Sequence, residues 1–351
     1  MAYFLKTGNT YKVSDNAALD IHTKLPVGNY IVKQDQWGNF FLEQIDNFTR
    51  PSKVYGNCTK NTDRILRTFM SRDISTGVML TGEKGSGKTL LAKNLAITAA
   101  DENIPTIVIN QPFYGDGFNA LLQDIDQPAI ILFDEFEKVY DSDDQEKMLT
   151  LLDGVFPSKK LFVLTCNDKW RVDKHMRNRP GRIFYMIDFK GLETDFIVEY
   201  CNDNLDAKEH IENICKIAQM FDQFNFDMLK ALVEEMNRYN ETPQEALSIL
   251  NAKPEFDGGS KYSVNVKLSG KTVLEDGSWN GNPLNPNGVS IEYDPDPEDE
   301  DGSYTYIRLT QADLKNIDVS EGKFVFTNKE DNAVITLVRK RDIEYNYYAA
   351  F

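Results

Sequence analysis

The apolar residues change their rhythm along the chain. Up to about residue 52 they fall in short runs of strand character, at Tyr11 to Val13, from Tyr30 (YIVKQ) and from Phe40 (FFLEQI), broken by the turn signals PVGN and WGN. From residue 53 to about 190, continuous apolar runs, GVMLTG, IPTIVIN, AIILFDE, KLFVLTCN and RIFYMIDF, alternate with stretches of helical spacing. Strands that are apolar throughout are buried on both faces, and their alternation with helices predicts a parallel sheet covered on both sides. The expectation for 53–190 is therefore a doubly wound α/β domain with five parallel strands. Across 191–252 the strand-like runs give way to ENICKIAQMF, DMLKALVEEMNRY and PQEALSIL, which predict a helical subdomain. From 253 to 351, turns rich in Gly, Asn, Asp and Pro separate YSVNVKL, YTYIRL, KFVFTN and AVITLVRK, predicting a β-rich C-terminal domain to match the small β-rich arm of 1–52.

The first predicted strand of the α/β domain runs into GEKGSGKT: Gly82, Glu83, Lys84, Gly85, Ser86, Gly87, Lys88 and Thr89, followed by the helical LLAKNLAITAA. This fits G-x-x-x-x-G-K-[ST] between a strand and a helix, the context the phosphate-binding loop needs. Its glycines let successive backbone N–H groups converge on one phosphate, and the following helix adds its positive end. Lys88 is then expected to neutralise the β- and γ-phosphates of ATP, and the Thr89 hydroxyl to ligate Mg2+. A second motif, AIILFDE, carries Asp134 and Glu135 to the carboxyl edge of the same sheet, where open α/β sheets hold their ligands. Asp134 is expected to hold magnesium, directly or through its water, and Glu135 to orient and polarise the attacking water. The later acids Glu137, Asp141, Asp143 and Asp144 read as a solvated helix start. KLFVLTCN ends in Asn167, a neutral amide suited to bridging the γ-phosphate and the lytic water.

Phosphate loop, DE-ending strand, Asn-ending strand and then NRPGRIFY, in that order within about a hundred residues, resemble the AAA+ ATPases. The resemblance implies a P-loop sheet with a helical lid and ATP hydrolysis coupled to conformational work. It also implies a homo-oligomer, most often a ring of six, acting on a macromolecular client. Asn167 becomes the polar sensor, and Arg179 and Arg182 of RPGR become fingers reaching the nucleotide of the neighbouring subunit. A guanidinium suits that task because its fixed fork stabilises charge as the terminal phosphate bond breaks; Arg177 reads as structural. MLTLLDGVFPSKKLFVLTCN and NRYNETPQEALSIL are similar to the AAA branch that contains the mitochondrial cytochrome bc complex assembly ATPase, over roughly 54–251. This chain departs from that branch in lacking a membrane-spanning segment and in its C-terminal domain. QPFYGDGF resembles the channel loop that grips polypeptide in such rings, with Phe113, Tyr114 and Gly115 as the aromatic-glycine unit, but without the usual preceding basic residue. A plain exposed turn or a core-packing Phe113 fits the sequence as well.

Composition narrows the client rather than the chemistry. With 41% hydrophobic residues the chain can bury a full core, while a net charge of −16 argues against a polyanion as the main partner. A protein client is therefore the first expectation, with a nucleic-acid motor or an ATP-timed assembly scaffold as alternatives. The four cysteines form no CxxC pair and the three histidines show no ligand spacing, so buried free thiols are expected rather than zinc or disulfides. No apolar run approaches the ~20 residues that span a bilayer, and MAYFLKTGNTYKV lacks a signal-peptide core, which gives a cytoplasmic expectation. DPDPEDEDG from Asp294 fails as a calcium loop, since Asp299 stands where the sixth-position glycine belongs and Thr305 where the final glutamate belongs.

Overall fold

The computed structural model describes residues 3–7, 10–14, 22–153, 158–177, 179–189, 191–219, 221, 224–252, 261–285, 287–294, 304–318 and 321–340. The linker at 253–260 and most of the acidic loop after Asp294 lie outside the described residues. The chain divides into two compact units, one of residues 1–82 and 88–188, the other of residues 83–87 and 189–351.

The first unit is an α/β sandwich on a seven-stranded sheet. Its strands are β3 (Asn29–Gln34), β4 (Phe40–Ile45), β5 (Thr76–Gly82), β6 (Thr106–Ile109), β7 (Ala129–Phe133), β8 (Lys160–Cys166) and β9 (Tyr185–Phe189), in the order β4-β3-β6-β7-β8-β5-β9. A separate hairpin, β1 (Tyr3–Thr7) with β2 (Thr10–Ser14), precedes them. The helices are α1 (Cys58–Ser71), α2 (Lys88–Asp101), α3 (Asp116–Asp124), α4 (Phe136–Val139) and α5 (Ser142–Leu152). The five apolar runs all form strands. Every residue of β7 and β8 is buried, as a strand covered on both faces requires. Pairing is parallel through β3-β6, β6-β7, β7-β8 and β8-β5. Because β5 lies beside β8 and not β6, the chain order reverses there, and the crevice at the carboxyl ends of β5, β7 and β8 is the place where such sheets take a ligand.

The expected five-stranded sheet is thus a seven-stranded one, and the boundary near residue 52 is not a structural one. The hairpin β3-β4 joins the sheet through β3, whose Asn29 registers with Thr106 of β6. Tyr30 and Val32 are buried in the core alongside Ile107, Ile109 and Ile131. Gln127 locks the approach to β3, accepting from Leu25 N at 2.9 Å and donating from Nε2 to Leu25 O at 3.0 Å.

In the second unit, α6 (Thr194–Asn204), α7 (Ile211–Ala218), α8 (Phe226–Tyr239) and α9 (Pro243–Ile249) form the expected helical subdomain. Its ends are written in the sequence. Asn225 caps α8 by accepting from Met228 N, Asn240 closes it in the left-handed region, and Thr242 with Glu245 makes a capping box ahead of Pro243. The four C-terminal runs form strands. A five-stranded antiparallel sheet has the order β11 (Lys271–Asn280), β10 (Lys261–Leu268), β16 (Ala333–Arg339), β15 (Lys323–Asn328), β14 (Leu314–Asp318), and β12 (Val289–Tyr293) pairs with β13 (Thr305–Leu309). β10 and β15 alternate buried and less buried residues, the signature of strands with one covered face, around a core that includes Tyr262, Phe324 and Phe326.

Candidate functional site

In the first unit the motif residues converge at the carboxyl ends of three neighbouring strands. β5 ends at Gly82, β7 at Phe133 just before Asp134 and Glu135, and β8 at Cys166 just before Asn167. Lys88 opens α2 with only 6% of its surface exposed, and its Nζ donates to Gly82 O at 2.5 Å. Burial pushes its pKa down, while the negative groups around it, Glu137 foremost and then Asp134 and Glu135 among others, pull it up. A buried ammonium with three carboxylates near it at a strand-end crevice fits a polyanion with a cation beside it.

Thr165, near the end of β8, ties the two acids together. Its hydroxyl donates to Asp134 Oδ1 at 2.7 Å and accepts from the Glu135 backbone N–H at 2.8 Å. Glu135 itself lies in the left-handed region, φ 49 and ψ 47, where a non-glycine residue is strained by about 1–3 kcal/mol. The Thr165 bond holds that conformation and thereby fixes where the Glu135 side chain starts. The Glu135 carboxylate accepts from Lys138 Nζ at 2.5 Å, an ion pair in which both side chains are about half exposed. Such an exposed pair is screened by solvent, so Glu135 is readily released from it.

Asn167 is fixed by Glu137. Both the backbone N–H of Asn167 and its Nδ2 donate to Glu137 Oε1 at 3.0 Å. Glu137 is 5% exposed, which corrects the expectation that it belongs to a solvated helix start. Asp141, Asp143 and Asp144 do open a helix: Asp141 caps α5 by accepting from Asp144 N, and the other two lie in its first turn, where acids favour the helix dipole.

The two arginines of RPGR differ in their surroundings. Arg179 is exposed. Arg182 is 7% exposed, and its Nε and Nη2 both donate to the Asp153 carboxylate at 2.6 Å while Nη1 donates to His175 O at 2.9 Å. That fork is engaged within its own chain, whereas the resemblance implied a finger toward a neighbouring subunit. Arg177 lies over the exposed Trp170 ring, 4.7 Å from its centroid. Phe113 is a core residue, packed edge-on to Phe40 at 5.2 Å, and its carbonyl accepts from the Tyr140 hydroxyl. Of the aromatic pair only Tyr114 is exposed, with Lys147 Nζ 4.1 Å from its ring centroid.

In the second unit, the tip of the phosphate loop is held by the start of α8. Phe226 N donates to Gly85 O at 3.2 Å and Asn225 Nδ2 to Lys84 O at 3.3 Å. Gly85 has φ +80, and a Cβ there would stand 2.7 Å from Asp227 Oδ2, so a side chain at this position is strained in its backbone and must displace the Asp227 carboxylate. The Ser86 hydroxyl is buried with no hydrogen-bond partner among the described residues. An unpartnered hydroxyl and a glycine cradle too tight for a side chain fit a loop shaped for a phosphate group.

Residues 78–190 match the family model described as ATPase family associated with various cellular activities (AAA). The chain is 25% identical over 226 residues to the peroxisomal ATPase PEX1 of Homo sapiens, covering 58% of this chain and 17% of that protein. It is 28% identical over 146 residues to the ATP-dependent zinc metalloprotease FtsH of Halothermothrix orenii, covering 35% and 22%. It is also 28% identical over 250 residues to the chloroplastic ATP-dependent zinc metalloprotease FTSH 9 of Arabidopsis thaliana, covering 61% and 30%. The chain therefore spans less than a third of the length of each of these relatives. Together with the strand order, the match is consistent with an AAA+ fold and supports an ATPase in general. Among the described residues no group of His, Cys, Asp and Glu could hold a metal by itself, and these 351 residues contain no H-E-x-x-H zinc motif. No described helix is long and apolar enough to cross a membrane.

Proposed function

We propose that this chain is the subunit of a ring, most simply of six copies, that hydrolyses ATP with magnesium and uses the cycle to remodel or translocate a protein client. The observation that carries the reading is the Thr165 hydroxyl joining Asp134 to Glu135 in the crevice that also holds the buried Lys88. Gly82 to Thr89 cradle the phosphates, Lys88 balances their charge, and Thr89 and Asp134 hold magnesium, which when bound supplies Lewis-acid stabilisation of the phosphoryl oxygens. Glu135 accepts the proton of the attacking water, and Asn167 orients it. Arg179, exposed on the loop that Arg182 anchors, serves the site of the adjacent subunit. The resemblance of 54–251 to the branch of the mitochondrial cytochrome bc complex assembly ATPase belongs to this reading as a relationship of the motor, not of the task. A protein client is favoured by the net charge of −16 and by relatives named as proteases, with Tyr114 as the exposed aromatic that contacts it. Free cysteines at 58, 166, 201 and 215 suit a reducing, cytoplasmic setting.

Mixing tests the shared site. Arg179→Ala subunits keep their own nucleotide pocket, and Lys88→Ala subunits keep their finger. Each alone is expected to hydrolyse slowly, and the mixture to exceed the sum of the two. A mixture no faster than that sum, or full turnover by Arg179→Ala in a protein that stays monomeric with ATP, overturns the ring reading.

A further inference from the structure

Asn167 carries a neutral amide at the carboxyl end of β8, and a primary amide presents two different faces. Its nitrogen donates two hydrogen bonds and its oxygen accepts two, so an orienting role for water depends on which end is turned where. An ionised carboxylate is an acceptor only, which means that the amide end meeting Glu137 must be Nδ2. The backbone N–H of Asn167 donates to the same oxygen at the same distance of 3.0 Å, so the carboxylate grips main chain and side chain together. One N–H of the amide is consumed in this way, and Oδ1 with the remaining N–H is left for a ligand. Glu137 is buried at 5% exposure, its second oxygen, Oε2, meets no N–H or O–H donor among the described residues, and its carboxylate interacts with the neighbouring Cys166 thiol. A buried carboxylate oxygen without such a donor is costly, and a site that keeps one retains an acceptor or a charge for use.

We infer that Glu137 is a positioning residue for ATP hydrolysis, locking the Asn167 amide with its oxygen toward the attacking water. This rests on the reading of Asn167 given above. Glu137 is assigned its role through Asn167, which it holds by two hydrogen bonds. Its removal frees the amide to rotate and leaves phosphate binding by the loop intact. The effect therefore falls on kcat and not on ATP affinity.

The test is a double-mutant cycle in the full chain, reading kcat and KM for ATP, equilibrium ATP binding and thermal unfolding. Asn167→Ala and Glu137→Ala are each expected to lower kcat by about 10- to 100-fold, the range typical of losing a group that orients a reacting partner, with ATP binding close to that of the unaltered chain. The double variant is expected to be no slower than Asn167→Ala alone. Glu137→Gln, which keeps the shape and an acceptor oxygen, is expected to lie between Glu137→Ala and the unaltered chain, and it stands in should Glu137→Ala fail to fold. If Asn167→Ala slows turnover while both Glu137 variants leave kcat unchanged, the positioning role is wrong and the Asn167 reading stands. If the two losses multiply in the double variant, Glu137 acts independently of Asn167 and the inference is likewise overturned. Unchanged kcat in Asn167→Ala overturns the reading of Asn167, and this inference with it.

Discussion

At the scale of single residues, the motif positions are held by side chains distant in sequence: Thr165 on Asp134 and Glu135, Glu137 on Asn167, and Asp153 on Arg182. Gly82 to Thr89, Asp134, Glu135 and Asn167 stand in fixed local contexts, each at a strand end, so spacing alone places them. Thr165, Glu137 and Asp153 act across 29 to 31 positions of sequence, through hydrogen bonds that no local pattern encodes. Thr165 carries a testable share of the site. Thr165→Val keeps the volume of a fully buried side chain but strips Glu135 N–H of its acceptor, which costs about 1–3 kcal/mol and loosens a left-handed residue. Turnover is expected to fall with ATP binding retained, and Thr165→Ser to restore most of it. Loss of binding instead, measured by nucleotide titration, would make Thr165 a general packing residue. Asp153 supplies a pH dependence of known sign. The Arg182 guanidinium holds its carboxyl below the ordinary carboxylate range, against an opposing push from burial. A carboxyl lowered in the folded state stabilises above its unfolded value, near pH 4, and loses that contribution as pH falls through the folded value. Asp153→Asn is expected to cost about 1–2 kcal/mol at neutral pH, at the low end for a severed buried pair because Asp153 is itself partly exposed. In thermal unfolding across pH, its deficit against the unaltered chain is expected to shrink in acid below about pH 4; a deficit that grows there contradicts the ion-pair account.

Among the elements, the ones read correctly are those whose pattern is decided locally. β7 and β8 are apolar throughout because both faces are covered, and α8 and α9 carry their caps in the sequence. The misjudged hairpin β3-β4 shows the limit. YIVKQ and FFLEQI read as strands, but whether a strand joins its neighbour in sequence or one seventy residues away depends on which edge is free, and that is set by tertiary pairing. Phe113 shows the same limit, since its aromatic neighbour Phe40 comes from that hairpin. The RPGR loop is seated by backbone proximity. A Cβ on Gly77 of β5 would stand 1.9 Å from Arg182 O, and Phe184 N donates to Gly77 O at 2.8 Å. Gly77→Ala must push the loop off the strand and is expected to cost about 1–3 kcal/mol of stability. Its thermal unfolding should show this, together with impaired turnover because Arg179 moves with the loop. An unchanged melting temperature would mean that the loop is not anchored at Gly77.

For the molecule as a whole, charge limits the partner more firmly than any element does. A chain with net charge −16 has no general attraction for a phosphate backbone, so single- or double-stranded DNA or RNA at low salt is expected to leave ATP turnover unchanged. Stimulation under those conditions would replace the protein client with a nucleic-acid one. The proposed hydrolysis of ATP at the strand-end crevice, with Glu135 as its base, stands or falls on phosphate release by Glu135→Gln. This substitution leaves the phosphate loop, Thr89 and Asp134 in place and removes only the group that takes the proton. ATP binding is expected near that of the unaltered chain in equilibrium titration, and phosphate release slower by at least about 100-fold. Release at the rate of the unaltered chain would contradict it.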